Sequence, residues 1–114
     1  MTLRKAIWIG DSLKRLKEFP EEVQDEIGYT LQKVQEGLMP RNAKLLKGFS
    51  PAVMEIVCDY DTNTYRAVCT VKIGNLVYVL HCFQKKSKHD IKTPKQEIDL
   101  IKQRFREAEL INNN

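Results

Sequence analysis

The residues best suited to chemistry lie between Asn75 and Pro94, in the stretch NLVYVLHCFQKKSKHDIKTP. The stretch begins as a strand, continues into a cluster of lysines, ends at a helix start and carries both histidines of the chain. Side chains alternate between the two faces of a strand, so every second residue is expected to share a face. The members of one such face are Val77, Val79, His81, Phe83 and Lys85. This face combines an imidazole, an aromatic ring and an ammonium group.

Two preceding strands add charged groups to the same face. In both Ala52–Tyr60 and Thr64–Ile73 one face is apolar or small, and we expect the apolar faces to pack on helices. The opposite faces carry an acid in the first strand and a guanidinium in the second. One sheet surface would then present Glu55, Arg66, His81, Phe83 and Lys85.

Such a set suits metal-independent cleavage of RNA. Arg66 and Lys85 can stabilise the charge that develops on a phosphodiester in the transition state. The 2′-hydroxyl proton needs an acceptor, which is His81 or a lysine whose pKa neighbouring cations lower. Phe83 can stack on a base. Further basic residues that can hold the RNA flank the sheet on either side: Lys44 and Lys47 before it, and Lys86, Lys88 and His89 after it.

Each of these residues also has a purely structural interpretation. Arg66 can pair with Glu55 across the hairpin, and the residues alone favour that ion pair. His81 and Phe83 can belong to the core, and the lysines can form a solubilising loop. Because no single signal is specific, the coincidence of several on one face is what indicates a site.

Composition places the chain among small globular proteins. The 114 residues are 42% hydrophobic and 30% charged, which predicts a single domain with one core. No apolar run approaches the ~20 residues of a membrane span, and the N-terminus lacks the apolar region of a signal peptide. The three cysteines lie in strand-like stretches without metal-ligand spacing, so we expect buried, reduced thiols, no zinc and a cytoplasmic location.

The charge is mildly positive but unevenly distributed. The net charge is +4 at pH 7, and five lysines between Lys85 and Lys95 face a single acid, Asp90. Residues 18–26 are instead strongly acidic. A basic face of this kind fits a polyanion as partner.

The elements that would position these residues predict an α+β domain with the order β-α-α-β-β-β-α. The pattern indicates, in order, a strand over Leu3–Ile9, a short helix carrying Leu13, Leu16 and Phe19, a helix from Pro20 to about Glu36, a loop over Leu38–Pro51, strands over Ala52–Tyr60, Thr64–Ile73 and Leu76–Gln84, and a last helix capped by Thr93 that frays at Leu110–Asn114. The small twisted sheet would be an antiparallel meander plus the first strand. It would be mixed, with the last strand inside it, packed against the helical hairpin and the final helix.

The same element order and several short runs resemble the RelE superfamily, and the phage-derived HigB-type toxins within it. The matching runs are KLLKGF at 44–49, EI at 55–56, TYRAV at 64–68 and YVLHCFQKKSK at 78–88, followed by TP at 93–94. The resemblance covers about Arg4 to Glu109, and the stretch from the last strand to the last helix is its most specific part.

This resemblance implies the toxin of a type II toxin–antitoxin pair. Such toxins are mRNA endoribonucleases that often act in the ribosomal A site, need no metal or cofactor, and are neutralised by a helix-turn-helix antitoxin. Their catalytic arginine corresponds to Arg66, and their lysines before the meander correspond to Lys44 and Lys47. A non-catalytic nucleic-acid-binding module and a degenerate toxin retained for antitoxin binding are the alternatives.

Overall fold

In the computed structural model, which describes residues 3–49, 52–85 and 93–113, five strands form one mixed sheet with helices on both faces. The elements in chain order are β1 (Lys5–Trp8), α1 (Ser12–Lys17), α2 (Glu21–Gln35), β2 (Ala43–Leu45), β3 (Val53–Tyr60), β4 (Asn63–Thr70), β5 (Leu76–Lys85) and α3 (Lys95–Asn112). This confirms the α+β class. None of the helices in these ranges is both long and apolar enough to cross a membrane.

The strand order in the sheet is β1-β5-β4-β3-β2. β1 pairs with β5 in parallel, with Ile7 opposite Tyr78, and the other neighbours are antiparallel. The predicted mixed sheet and the interior position of the last strand are therefore confirmed. β5 is apolar on both faces because helices cover it from both sides.

The predicted element order lacked one strand. We expected a loop over Leu38–Pro51, but β2 lies within it and forms the sheet edge beside β3. Backbone hydrogen bonds hold it there, from Val57 N to Asn42 O at 2.8 Å and from Leu46 N to Val53 O at 3.0 Å. A strand of three residues is too short to show alternation in the sequence, which explains the omission.

Both ends of α3 also differ from the prediction. Thr93 was expected to cap the helix, but Pro94 takes the N-cap position and Thr93 donates its hydroxyl hydrogen bond elsewhere, to Glu55. At the other end the helix continues to Asn112, so residues 110–112, which we expected to fray, are helical.

Two apolar clusters fill the two sides of the sheet. On the side of α1 and α2, Val23, Ile27 and Leu31 pack against alternate residues of the strands. On the other side Ile101 and Ala108 of α3 pack against the remaining strand residues, which include Tyr78 and Leu80. The face that we expected to present the charged residues is therefore covered by α3 along part of its width.

A β-bulge changes the side-chain alternation that we predicted for β5. Val68 of β4 lies opposite His81, whereas the next residue, Cys69, lies opposite Val79, so Leu80 is the extra residue. Val77 and Val79 consequently face α2, while His81 and Phe83 lie on the α3 side. The prediction that all of them share one face was wrong on the N-terminal side of the bulge.

The three cysteines are buried and unpaired, as expected. Burial raises the pKa of Cys58, Cys69 and Cys82 to about 12, so these thiols stay protonated at neutral pH. They pack as small apolar side chains.

Candidate functional site

A cleft of about 440 Å³ opens between the edge of the sheet and the start of α3, and we call it the β2 cleft. Its lining residues are Lys44, Leu45, Leu46, Lys47, Glu55, Thr93 and Ile98. Two lysines and one carboxylate are thus set among aliphatic side chains. Lys44 and Lys47, which were predicted to hold RNA, lie together here and are both exposed.

Glu55 lies at the floor of the β2 cleft and has no exposed surface. Its Oε1 accepts a hydrogen bond from Arg66 Nη1 at 2.9 Å and lies 3.8 Å from Lys44 Nζ. Its Oε2 accepts a hydrogen bond from Thr93 Oγ1 at 3.1 Å. Because a buried carboxylate needs partners for its charge, these three donors are what make its burial possible.

Strand register explains why these groups meet. Lys44 of β2 lies directly opposite Glu55 of β3, and Val57, two residues further along β3, lies opposite Arg66 of β4. Glu55 and Arg66 are therefore diagonal neighbours on one face, within reach of each other's long side chains. The cross-hairpin ion pair that the sequence favoured is confirmed.

Arg66 itself is 5% exposed and does not line the β2 cleft. One of its nitrogens is committed to Glu55, and its Nε has no hydrogen-bond partner within the described residues. Arg66 can thus act on a substrate through Glu55, by fixing that carboxylate.

His81 lies under α3, not in the β2 cleft. Its Nε2 contacts Glu97 Oε2, and its Nδ1 lies 3.4 Å from Arg104 Nη1. Since the guanidinium can only donate, Nδ1 is the acceptor and the ring proton sits on Nε2, where Glu97 receives it. Burial lowers the pKa of His81, the hydrogen bond to Glu97 opposes that shift, and the charges of Arg104 and Arg15 add to the lowering. The imidazole is accordingly neutral, with both nitrogens engaged.

Arg104 is an organising residue that the sequence did not reveal. Its Nη1 donates to Leu80 O at 3.0 Å, and its Nη2 donates to Asp11 Oδ1 at 2.6 Å. Leu80 is the bulge residue, and a bulge leaves such a carbonyl without a partner in the ladder. Hydrogen bonds from Arg104 and then Arg15 lower the pKa of Asp11 to about 2. The only available signal was one arginine on the predicted inner side of the last helix.

The neighbouring Gly10 makes room for that guanidinium. Its φ is +56°, and a Cβ there would lie 2.9 Å from Arg104 Cζ. Both the conformation and the close approach require glycine.

The remaining predicted residues divide into buried and undescribed ones. Phe83 is buried and stacks on His81 with ring centroids 5.2 Å apart, so its ring packs inside the protein. Lys85, at the end of β5 opposite Thr64, is also buried. Lys86, Lys88 and His89 lie outside the described residues. The structure therefore brings Lys44, Lys47 and Glu55 together, and holds Arg66 directly behind them.

The sequence was also compared with known proteins. A family model described as phage derived protein Gp49-like (DUF891) matches residues 14–106. The chain belongs to this family. No curated protein and no solved structure matches it. The matched region of this Gp49-like chain contains the whole β2 cleft and α3 as far as Arg106, whereas β1 and Asp11 precede it.

Proposed function

We propose that this Gp49-like protein is the toxin of a type II toxin–antitoxin pair and cleaves mRNA without a metal ion. The family is associated with RelE and toxin–antitoxin-like proteins, which supports the toxin class. The β2 cleft carries the proposal of cleavage, because its two exposed lysines adjoin a buried carboxylate that an arginine holds in place.

The chemistry follows from these groups. Lys44 and Lys47 bind the phosphate that contains the scissile bond. Their charges offset the negative charge that develops on this phosphate in the transition state. The 2′-hydroxyl oxygen attacks the adjacent phosphorus, its proton passes to the Glu55 carboxylate, and the bond to the 5′-oxygen breaks. The departing 5′-oxygen takes a proton from a lysine ammonium, which leaves a cyclic phosphate on the other fragment.

Glu55 replaces His81 as the proton acceptor in this scheme because it lines the β2 cleft, whereas His81 lies beneath α3 and does not line it. Arg66 is then a positioning residue that holds the Glu55 carboxylate in its orientation through the hydrogen bond from Nη1. Catalytic roles for His81 and Lys85 stay predictions from the sequence.

The partners follow from the same proposal. The substrate is mRNA, either free or on the ribosome, and the neutralising partner is a helix-turn-helix antitoxin. A RelE-like arrangement of the sheet and helices belongs to this proposal as well.

The test uses lysines because they are exposed. Replacing Arg66 instead would leave Glu55 buried with weaker compensation and cost about 3–5 kcal/mol of stability, which would confuse loss of activity with unfolding. The double variant Lys44→Ala/Lys47→Ala is compared with Lys14→Ala/Lys17→Ala, which removes two equally exposed charges from α1 on the other side of the sheet.

We expect the wild-type chain to arrest growth when expressed and to shorten cellular mRNA. In vitro it should cut an RNA transcript in the presence of EDTA. The cleft variant should lose about 10²-fold in cleavage rate, while the α1 variant keeps the wild-type rate. Equal rates for the two variants would remove the β2 cleft from the mechanism.

A second candidate function is binding of RNA without cleavage. The burial of Arg66 and its commitment to Glu55 favour it, since the guanidinium does not reach the cleft surface. Two results together would establish this candidate in place of the nuclease. Cellular mRNA would keep its length when the protein is expressed, and the purified chain would bind RNA tightly.

A further inference from the structure

A second cleft, of about 400 Å³, lies between α2 and the segment that leads into β2, and we call it the α2 cleft. Its lining includes Glu26, Tyr29, Thr30, Lys33, Arg41 and Asn42. The groups of interest are an exposed aromatic ring, two cations and a carboxamide. None of them takes part in the chemistry proposed for the β2 cleft.

Tyr29 is the central feature of the α2 cleft. Its side chain is 64% exposed, although most large apolar side chains of α2 are buried in the core. Lys33 Nζ lies 5.0 Å from the centroid of its ring, in a cation–π contact. The ammonium orders the ring from one side, so the ring offers a fixed aromatic surface to a ligand.

Asn42 adds a polar group with a fixed orientation. Its Nδ2 donates to Thr30 Oγ1 at 2.9 Å, and its backbone carbonyl accepts from Val57 N. A carboxamide held in this way presents a donor and an acceptor in one plane, which is the pattern that the edge of a nucleobase recognises.

The α2 cleft and the β2 cleft lie on opposite faces of the sheet, and the basic segment 41–47, which contains β2, runs between them. Arg41 lines the first cleft and Lys44 and Lys47 line the second, at intervals of three residues. Asn42 and Lys44 are two positions apart, so about 7 Å of extended backbone separates the two linings. Because the two linings face opposite sides of the sheet, a strand that occupies both clefts must pass around the edge strand β2, which takes more than one nucleotide.

The charge of the α2 cleft is positive on balance. Lys33 and Arg41 stand against Glu26, the one acid in its lining. Glu26 lies on α2 and Arg41 on the segment that leads into β2, so the acid and the arginine line opposite sides of the cleft. An anionic backbone can therefore approach from the side of Arg41.

We infer that the α2 cleft binds an unpaired nucleotide of the same RNA strand whose scissile phosphate lies in the β2 cleft. The base stacks on Tyr29, Asn42 contacts its edge, and Arg41 binds the phosphate between the two clefts. This inference rests on the proposed function, because it takes RNA as the ligand. It makes the protein a reader of single-stranded RNA, since a paired base would first have to unpair and unstack, at a cost in free energy, before it could stack on Tyr29.

The test measures binding of fluorescein-labelled oligonucleotides by anisotropy. Every sugar carries a 2′-O-methyl group, which blocks attack by the 2′-oxygen, so binding is measured without cleavage. A trinucleotide fills the β2 cleft alone, and an octanucleotide extends into both clefts. The variants are Tyr29→Ala, which removes the ring, and Tyr29→Phe, which keeps it. Lys44→Ala reports on the β2 cleft.

We expect Tyr29→Ala to weaken binding of the octanucleotide at least about tenfold and to leave binding of the trinucleotide unchanged. Tyr29→Phe should bind both probes like the wild type. Lys44→Ala should weaken binding of both probes.

Three other outcomes distinguish failure of the nucleotide subsite from failure of both proposals. If Lys44→Ala weakens both probes but Tyr29→Ala weakens neither, the nucleotide subsite is overturned and the β2 cleft stands. A Tyr29→Ala variant that binds RNA normally but loses a protein partner identifies a protein-docking surface, which also overturns the subsite. If the wild type binds neither probe, RNA is not the ligand and both proposals fail.

Discussion

At the scale of single residues, buried polar groups dominate the side of the sheet that faces α3. Glu55, Arg66 and His81 are each at most 5% exposed, and each has a charged or hydrogen-bonding partner. Such groups are costly to bury unless their partners are in place. Among them, His81 makes the stability of the protein sensitive to pH, because burial lowers its pKa.

His81 gives the clearest pH dependence. Burial lowers its pKa below the ordinary value of 6.5, so the unfolded chain binds a proton at a pH where the folded protein does not. Acidification then favours the unfolded state, and the stabilisation that is complete above pH 6.5 is lost as the pH falls through the lowered pKa. We expect the free energy of unfolding in urea to decrease between about pH 7 and about pH 5.

The charges around His81 set the control for this prediction. Glu97 and Arg104 of α3 and Arg15 of α1 face the ring. In His81→Gln the decrease should largely disappear, whereas in His89→Gln it should persist. If the decrease in the free energy of unfolding disappears in His89→Gln and persists in His81→Gln, the assignment to His81 is contradicted.

The scale of the elements shows what sequence patterns could and could not predict. The helices and the meander were predictable because their apolar residues repeat at the helical and strand periods. The bulge at Leu80 was not predictable, because a bulge leaves no recognisable pattern in the local sequence. It alters only which face of the sheet each later side chain takes. The edge strand Ala43–Leu45 was too short to carry a pattern.

The candidate site was predictable to a similar extent. Lys44 and Lys47 were identified from their charge, and Glu55 was placed on the correct face by alternation. The burial of Arg66, Phe83 and His81 depends on how α3 crosses the sheet, and helix docking is a property of three-dimensional packing that alternation does not encode.

α2 offers a test of backbone conformation at the element scale. Gly28 lies in the helix interior, and a Cβ added there would meet nothing within 4 Å. Gly28→Ala should therefore raise the free energy of unfolding by about 0.5–1 kcal/mol, since alanine loses less conformational freedom on folding.

Gly37, just beyond the end of the same helix, is a matched control. A Cβ there would also meet open space, but the φ of Gly37 is +88°. Gly37→Ala should therefore destabilise the protein, because only the backbone conformation differs between the two sites. Urea unfolding curves of both variants measure the difference, and equal shifts would show that backbone conformation does not decide the effect.

At the scale of the whole molecule, the net charge of +4 matters less than its placement. Arg41, Lys44 and Lys47 follow one another along the segment that joins the two clefts, while residues 18–26 form an acidic stretch that begins at the end of α1 and runs into α2. This charge distribution attracts a polyanion to the segment 41–47 and repels it from the acidic stretch.

This placement predicts the salt dependence of RNA binding. Three phosphate contacts give a slope of log K against log salt concentration of about −2 for a single strand. Lys44→Ala should reduce the steepness by about 0.7, and Lys17→Ala should leave it unchanged. The 2′-O-methyl octanucleotide, titrated at several salt concentrations, measures both. An unchanged slope in Lys44→Ala would show that this lysine contacts no phosphate.

The parallel pairing of β1 with β5 has a consequence for the synthesis of the chain. Ser12 Oγ and Ile9 N both donate to the carbonyl of Val79, and Ser12 lies 67 positions before that residue. β1 therefore lacks its neighbour in the sheet until β5 has been made. The meander of β3, β4 and β5, in contrast, can form from local contacts. During synthesis of the residues between β1 and β5, β1 has no partner strand for its backbone groups. The β2 cleft, whose lining includes Thr93 just before α3 and Ile98 within it, likewise cannot form until that helix has been made.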